Sequence, residues 1–280
     1  MARPVWTGSI SFGLVNVPVK AYTAVRDHDV HFHQIDKESG ARIRNRKVSE
    51  KTGDEVEAED IEMGFEVRKG RYVTFDKKEL AELRPESTKA VEVTDFVELA
   101  EIDPIYYERT YWLAPGDGTG TKAYHLLLAA MEDRQRAAIG TVVMRNKQYL
   151  AAIRPLDGVL AMSTMRFADE VVPRKEVDGL PSRRSQPEAK SLRMATQLVD
   201  SLAGEWDPRQ YHDTYTEELR QRIKNKGSGK DLTVETEPEE RPAKVVDLME
   251  ALAASVESAK SRKSSGRRRT TRTTRSRMSA

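Results

Sequence analysis

Apolar residues in the first part of the chain come in short runs, and the earliest run changes parity. In WTGSISFGLVNVPVKAY, Trp6, Ile10, Phe12 and Leu14 share one parity, while Val15, Val17 and Val19 share the other. A strand that changes its buried face needs a bulge or corner, and Gly13 stands where one would be supplied. Further strand-like runs follow at VHFHQI, ARIRNRKV, RYVTF, KAVEVTDFVEL, YYERTYWLA, AAIGTVVM and QYLAAIRPL. Turns such as KTGD and RKGR separate them, a spacing that predicts a sandwich or barrel rather than a parallel sheet. One helix interrupts the strands: TKAYHLLLAAMEDRQR is rich in Ala and Leu and follows a Gly/Asp loop.

From about Pro187 the period lengthens. PEAKSLRMATQLVDSLAGEW places Leu192, Ala195, Leu198, Val199 and Leu202 on one helical face, with Gly204 able to end the helix and Pro208 to open the next. Tyr211, Tyr215, Leu219 and Ile223 then recur every four residues until Gly227. Residues 187–226 are either a helical hairpin packed on its own core or an arm that packs on another subunit. Residues 227–243 have linker composition, Gly and Ser first and then acidic residues and proline. In residues 244–257, Val245, Leu248, Met249, Leu252 and Val256 form a narrow apolar stripe. A helix so isolated has little core of its own, and docking in a partner's groove is favoured over docking on the body.

Charge sharpens the division. Residues 258–280 carry nine cations and no carboxylate: Lys260, Arg262, Lys263, Arg267, Arg268, Arg269, Arg272, Arg275 and Arg277. Removing those nine from the chain's 47 leaves 38 basic against 45 acidic side chains, so the body has a net charge of −7. A one-signed tail of this kind is expected to be disordered and to bind nucleic acid, with mere solubilisation as the competing role. Apolar residues make up 38% of the chain and charged residues 33%, but the polar excess lies towards the C-terminus, so the remainder can bury a core. With no cysteine there is no disulfide framework, thiolate nucleophile or cysteine metal site. The N-terminal stretch lacks the pattern of a signal peptide and no run is long enough to cross a bilayer, so the expectation is a soluble, intracellular protein with no membrane partner.

Candidate chemistry is sparse. GDGTGTKAY resembles a phosphate loop but lacks the glycine-lysine-serine/threonine run that such a loop requires. His31 and His33 would share a face of a strand, a spacing that zinc can use, but no third ligand is evident. No nucleophile–base–orienter set emerges, which points to a binding protein rather than an enzyme. The acidic run from Glu50 to Glu62 is a solvated turn region. Just before it, Arg42, Arg44 and Arg46 alternate with Lys47 adjacent. On one strand face three guanidinium groups would lie roughly 7 Å apart, the scale of successive backbone phosphates. Arg145 and Lys147 flank a predicted hairpin turn in MRNKQY. For each cluster, ordinary surface charge is the competing explanation.

Taken in order, several stretches resemble the bacterial Ku family, the DNA-end-binding factors of non-homologous end joining. They are VWTGSISFGLVNVPVKAY, FHQIDKESGARIRNRKVSEKTGDEV, EIDPIYYERTYWLAP, KAYHLLLAAM, QYLAAIRPLDGVLAMSTMRF and LVDSLAGEWDPRQYHDTYTEEL, together covering roughly residues 3–226. KVVDLMEALAASV resembles the family's short element that contacts DNA ligase D. The resemblance implies a mixed, β-rich fold: a Ku-type β-barrel core with a DNA-encircling bridge over residues 1–186 and a helical arm over 187–226. It implies a homodimer that rings double-stranded DNA ends without sequence readout and recruits DNA ligase D. No catalysis, nucleotide, metal or other cofactor is expected, and the location is the cytoplasm, at the nucleoid. On matching positions, Arg42, Arg44, Arg46 and Lys47 fall in the bridge over DNA, and Arg145 and Lys147 in a hairpin near the duplex. Some relatives carry metal-ligand-like cysteines in the bridge. Here Ser49 stands in that neighbourhood, so a knuckle there must hold without zinc. The main alternative is a nucleoid-packaging protein that coats DNA through its tail.

Overall fold

In a computed structural model of the chain, residues 2–228 are described, apart from 86, 87, 117, 119, 182, 184 and 185. The chain divides into two compact units, Met1–Asp178 and Gly179–Ala280. Among the described residues the first unit has strands β1 (Trp6–Phe12), β2 (Val15–Thr23), β3 (Met63–Arg68), β4 (Arg71–Phe75), β5 (Ala90–Glu98), β6 (Tyr107–Pro115), β7 (Arg136–Met144), β8 (Lys147–Leu156) and β9 (Val159–Met165). Helix α1 (Lys77–Glu82) lies between β4 and β5, and α2 (Gly120–Arg134) between β6 and β7. Seven strands close into a barrel in the order β1-β2-β6-β9-β8-β7-β5, and β3 and β4 form a separate two-stranded sheet.

The parity change in the first run is a chain reversal, not a bulge within one strand. Phe12 pairs with Val15 across the two-residue loop Gly13–Leu14, and Gly13 has φ 59°. A positive φ at the first loop position is the type II′ geometry, which glycine adopts without cost and which matches the twist of paired strands. Because the chain turns there, even-numbered residues of β1 sit opposite odd-numbered ones of β2, and Ile10 and Val17 meet in the core.

Closure rests on β1. Its other edge pairs with β5 in parallel, through Ser9, Ile10 and Ser11 against Ala90, Val91 and Glu92. The Ser9 amide donates to the Lys89 carbonyl (3.0 Å), where Lys89 turns into β5 at φ 51°. Gly8 is required at this seam because a Cβ there would meet the Lys89 carbonyl oxygen and the Trp6 ring. Residues 24–89 therefore leave the barrel at the end of β2 and return beside β1.

Within the barrel, Val17, Val19, Leu113, Val142, Ile153, Leu160 and Met162 form one apolar cluster. Tyr124, Leu127, Leu128 and Met131 of α2, spaced as one helical face, complete it. The Tyr124 hydroxyl donates to the Leu113 carbonyl (2.7 Å) and accepts the Leu160 amide (2.8 Å), tying the helix to β6 and β9. Burial pushes this phenol above its ordinary pKa of 10, which the Leu160 hydrogen bond partly opposes. Outside the barrel, the β3–β4 sheet leaves Met63 and Phe65 exposed.

The expected strands at VHFHQI and ARIRNRKV do not form. Residues 25–62 contain only isolated bridges, Ile35 with Arg42 and Val48 with Glu55. These bridges close two local turns, and among the described residues no neighbouring strand offers a ladder that would extend them. The second unit holds α3 (Ala189–Leu202) and α4 (Thr214–Gly227). The Asp213 carboxylate caps α4 by accepting the Thr216 amide (3.0 Å). Tyr211 lies before that helix, where its ring stacks on Trp206 (centroids 5.2 Å apart). Leu192, Val199 and Leu202 of α3 are exposed. No helix among the described residues is long and apolar enough to cross a membrane.

Replacing Tyr124 with Phe removes one acceptor and one donor and strands the buried Leu160 amide. The expected cost is about 2 kcal/mol in urea-induced unfolding of the barrel. A loss below the error of that measurement would mean the hydroxyl does not tie α2 to the strands.

Candidate nucleic-acid interface

Arg145 is placed by the tightest turn available between two strands. Met144 pairs with Lys147, so Arg145–Asn146 is a two-residue loop, with φ of 51° and 66°. Two positive φ values make a type I′ turn, which the right-handed twist of paired strands favours. Asn tolerates this conformation, whereas an arginine there costs roughly 1–2 kcal/mol. The loop between β8 and β9 has the same backbone signs but holds Asp157–Gly158 (φ 50° and 75°), a pair suited to the turn.

Arg109 reaches the same place from β6. Tyr107 pairs with Met165 but Arg109 with Thr164, so Glu108 is an extra residue in a bulge. Bulges re-aim side chains. The Arg109 amide is held by the Thr164 hydroxyl oxygen (3.2 Å), and that hydroxyl donates to the Glu108 carboxylate (3.4 Å). Arg26, Asp27 and His28 follow the end of β2, whose Thr23 pairs with Tyr111. These elements surround a cleft of about 640 Å³ lined by Arg26, Asp27, His28, Glu108, Arg109 and Arg145 among others. An adjoining hollow of about 140 Å³ shares Arg109, Tyr111 and Arg145 and adds Lys147 and Tyr149. The Lys147 ammonium sits 5.1 Å from the Tyr149 ring centroid. Cations from β6, the β7–β8 turn and the segment after β2 thus share one rim of the barrel.

Arg42, Arg44, Arg46 and Lys47 do not join this cluster. All four are exposed, and no strand lines their side chains up in a row. Arg46 Nη1 pairs with Glu55 Oε2 at 2.9 Å across its own turn. The nine basic residues from Lys260 to Arg277 lie outside the described residues, as do Val245, Leu248, Met249, Leu252 and Val256. Arg26 and Arg109 were not singled out from the sequence. The bulge that separates Arg109 from the register of Tyr107 leaves no local mark in the sequence, and Arg26 lies in a stretch without periodicity.

The segment between β2 and β3 is fastened by two turns of one design. The Gly40 amide donates to the Asp36 carbonyl (2.9 Å), and the Gly53 amide to the Ser49 carbonyl (2.8 Å). In reverse, the Asp36 amide donates to the Ala41 carbonyl and the Ser49 amide to the Asp54 carbonyl, each at 2.8 Å. Both glycines have positive φ (68° and 78°). The Asp36 carboxylate accepts the Ser39 hydroxyl and the amides of Ser39 (3.0 Å) and Glu38 (3.3 Å). Ser39 Oγ accepts the Ala41 amide (3.2 Å), and Thr52 Oγ1 the Asp54 amide (3.3 Å). Asp36 with Ser39 and Ser49 with Thr52 have the two-residue spacing of cysteine pairs in structural zinc sites. Their oxygens do not fit that metal: Asp36, Ser39 and Thr52 already accept amides of their own turns. The Ser39 hydroxyl above all, and then the amides, hold the Asp36 carboxyl below its usual 3.8. A lowered folded pKa means this contribution is present above that value and is lost as pH falls through the folded one. Among the described residues, no group of three or more His, Asp or Glu is placed to hold a metal ion.

Comparison with known proteins agrees with this architecture. The family model described as the Ku70/Ku80 beta-barrel domain matches residues 11–194. "Non-homologous end joining protein Ku 1" of Saccharopolyspora erythraea is 43% identical over 257 residues, which cover 92% of this chain and 79% of that one. "Non-homologous end joining protein Ku" of Bacillus subtilis is 39% identical, over 90% of this chain and 81% of its own. That of Mycobacterium tuberculosis is 38% identical, over 91% and 95%. The chain belongs to the Ku family.

Proposed function

We propose that the protein binds ends of double-stranded DNA, without sequence readout, as a ring-shaped homodimer in the repair of double-strand breaks by non-homologous end joining. Membership of the Ku family, in a chain whose closed barrel presents a cation-lined cleft at the base of the 24–89 excursion, carries this reading. A barrel is a rigid base, and a long excursion anchored at both ends beside it suits a span over a duplex lying on that base. An acidic body is compatible with this, since only the inner wall need be positive. Phosphate contacts are assigned to Arg145 and Lys147 on the barrel and to Arg42, Arg44, Arg46 and Lys47 on the excursion. The exposed apolar stripe of α3 favours the second subunit as its cover over a self-contained hairpin.

The protein works as a scaffold rather than an enzyme, in the cytoplasm at the nucleoid. The stripe Val245, Leu248, Met249, Leu252 and Val256 recruits and stimulates DNA ligase D. The basic tail adds non-specific contacts to a ring that selects ends without it.

Linear duplex is expected to compete strongly for the protein and covalently closed circles poorly. The chain shortened by residues 258–280 keeps that preference, while its salt slope falls by at most about eight. Equal competition by circles would contradict threading, and loss of end preference on shortening would favour coating of DNA through the tail. Replacing Leu248 and Leu252 with Asp is expected to abolish pull-down of ligase D with end binding intact. Loss of end binding in that variant would place the helix in the core instead.

A further inference from the structure

The geometry points to a phosphate clamp at the rim of the barrel, with Arg145 as its strained centre and Arg26 and Arg109 as its other jaws. This rests on the reading of the protein as a duplex binder and names the barrel residues that grip the backbone. Three observations converge on it.

The first is the conformation of Arg145. Both ends of β8 are closed by two-residue loops with positive φ at both positions, and one of them uses Asp157–Gly158. The other places an arginine at φ 51° where Asn, Asp or Gly would be at ease. Strained residues persist where a ligand clamp needs them. The second is the pairing of the cations. Arg26, Arg109, Arg145 and Lys147 all line the connected hollows, yet none forms an ion pair among the described residues. Two carboxylates do line the cleft, but each is engaged locally: Asp27 accepts the Asp29 amide (3.0 Å) and Glu108 the Thr164 hydroxyl (3.4 Å). Four cations against two carboxylates leave an excess of two positive charges among these Lys, Arg, Asp and Glu side chains. The third is origin. The cations come from three separated stretches that only the barrel brings together, so local helix or strand chemistry does not account for the cluster. A guanidinium fork matches phosphate oxygens in bidentate fashion, and unpaired forks converging on an open cleft suit that anion.

The phosphate is either an internal phosphodiester of the bound strand or the terminal 5′-phosphate at the break. The test uses the full chain with Arg145→Asn, measured by thermal melting and by binding to one linear duplex with 5′-phosphate or 5′-hydroxyl ends. Because Asn suits the turn, the melting temperature is expected to rise by a few degrees. Affinity is expected to fall, and the slope of log affinity against log salt to drop by about 0.9, as for one lost phosphate contact. Equal losses on both duplexes assign an internal phosphodiester, and a loss confined to the 5′-phosphate duplex assigns the terminal group. Arg109→Gln and Arg26→Gln, which leave the turn untouched, should each reproduce the loss without the gain in melting temperature. If all three variants bind with wild-type affinity and slope, the clamp is overturned while duplex binding stands. If the wild-type chain itself fails to bind duplex, the underlying reading fails, an outcome visible before any variant is compared.

Discussion

The parallel seam between β1 and β5 is the constraint on which the rest of the first unit depends. Three residue pairs join β1 to β5, the strand on which the 24–89 excursion lands, and without them the barrel would be an open sheet with two exposed edges. The seam demands close approach, so a glycine stands at position 8 where a side chain would strike the Lys89 carbonyl. A second close approach lies on the far side of β5. There Thr94 is an extra residue between Val93 and Asp95, and its hydroxyl donates to the Ile139 carbonyl (3.3 Å). Gly140 lets the β5 backbone pass, since a Cβ there would meet the Glu92 carbonyl. Closure thus costs side chains at two positions and in return fixes where the excursion departs and where it lands.

That closure also builds the cleft. Pairing of β2 with β6 puts the start of the excursion beside the bulge at Glu108, and pairing of β7 with β8 through a two-residue turn delivers Arg145 and Lys147 to the same rim. The cations of the cleft are thereby carried on turns, bulges and strand ends, while the apolar cluster inside supplies rigidity. The excursion itself solves its stability differently. It buries almost nothing, and its two matched turns are held by side-chain oxygens on local amides, with glycine supplying the reversal in each.

Much of this was legible in the sequence where alternation was strong. The runs at YYERTYWLA, AAIGTVVM and QYLAAIRPL are β6, β7 and β8, and the Ala/Leu-rich helix is α2. The two helices of the second unit form where the longer period places them, although Tyr211 stands before α4 rather than on it. What failed has physical causes. VLAMSTM of β9 is buried on both faces, so it shows no alternation to detect. VHFHQI and ARIRNRKV alternate well but have no strand beside them among the described residues, and alternation without a ladder partner does not make a strand. At Gly13 the parity switch fits a bulge or corner as well as the hairpin that forms, because all of them exchange the buried face. The cleft was half visible: Arg145 and Lys147 stand at a recognisable turn, whereas Arg26 and Arg109 join them only through long-range strand pairing that no local pattern encodes.

Encirclement is the central claim, and a trapping measurement tests it most directly. The protein would be loaded on a linear duplex biotinylated at both ends, the ends capped with streptavidin, and the complex challenged with high salt. A closed ring predicts that capped complexes survive salt that strips uncapped ones, because screening removes the phosphate contacts but leaves the protein threaded. Equal release from capped and uncapped duplex would contradict it and reduce the protein to a surface binder held by charge alone.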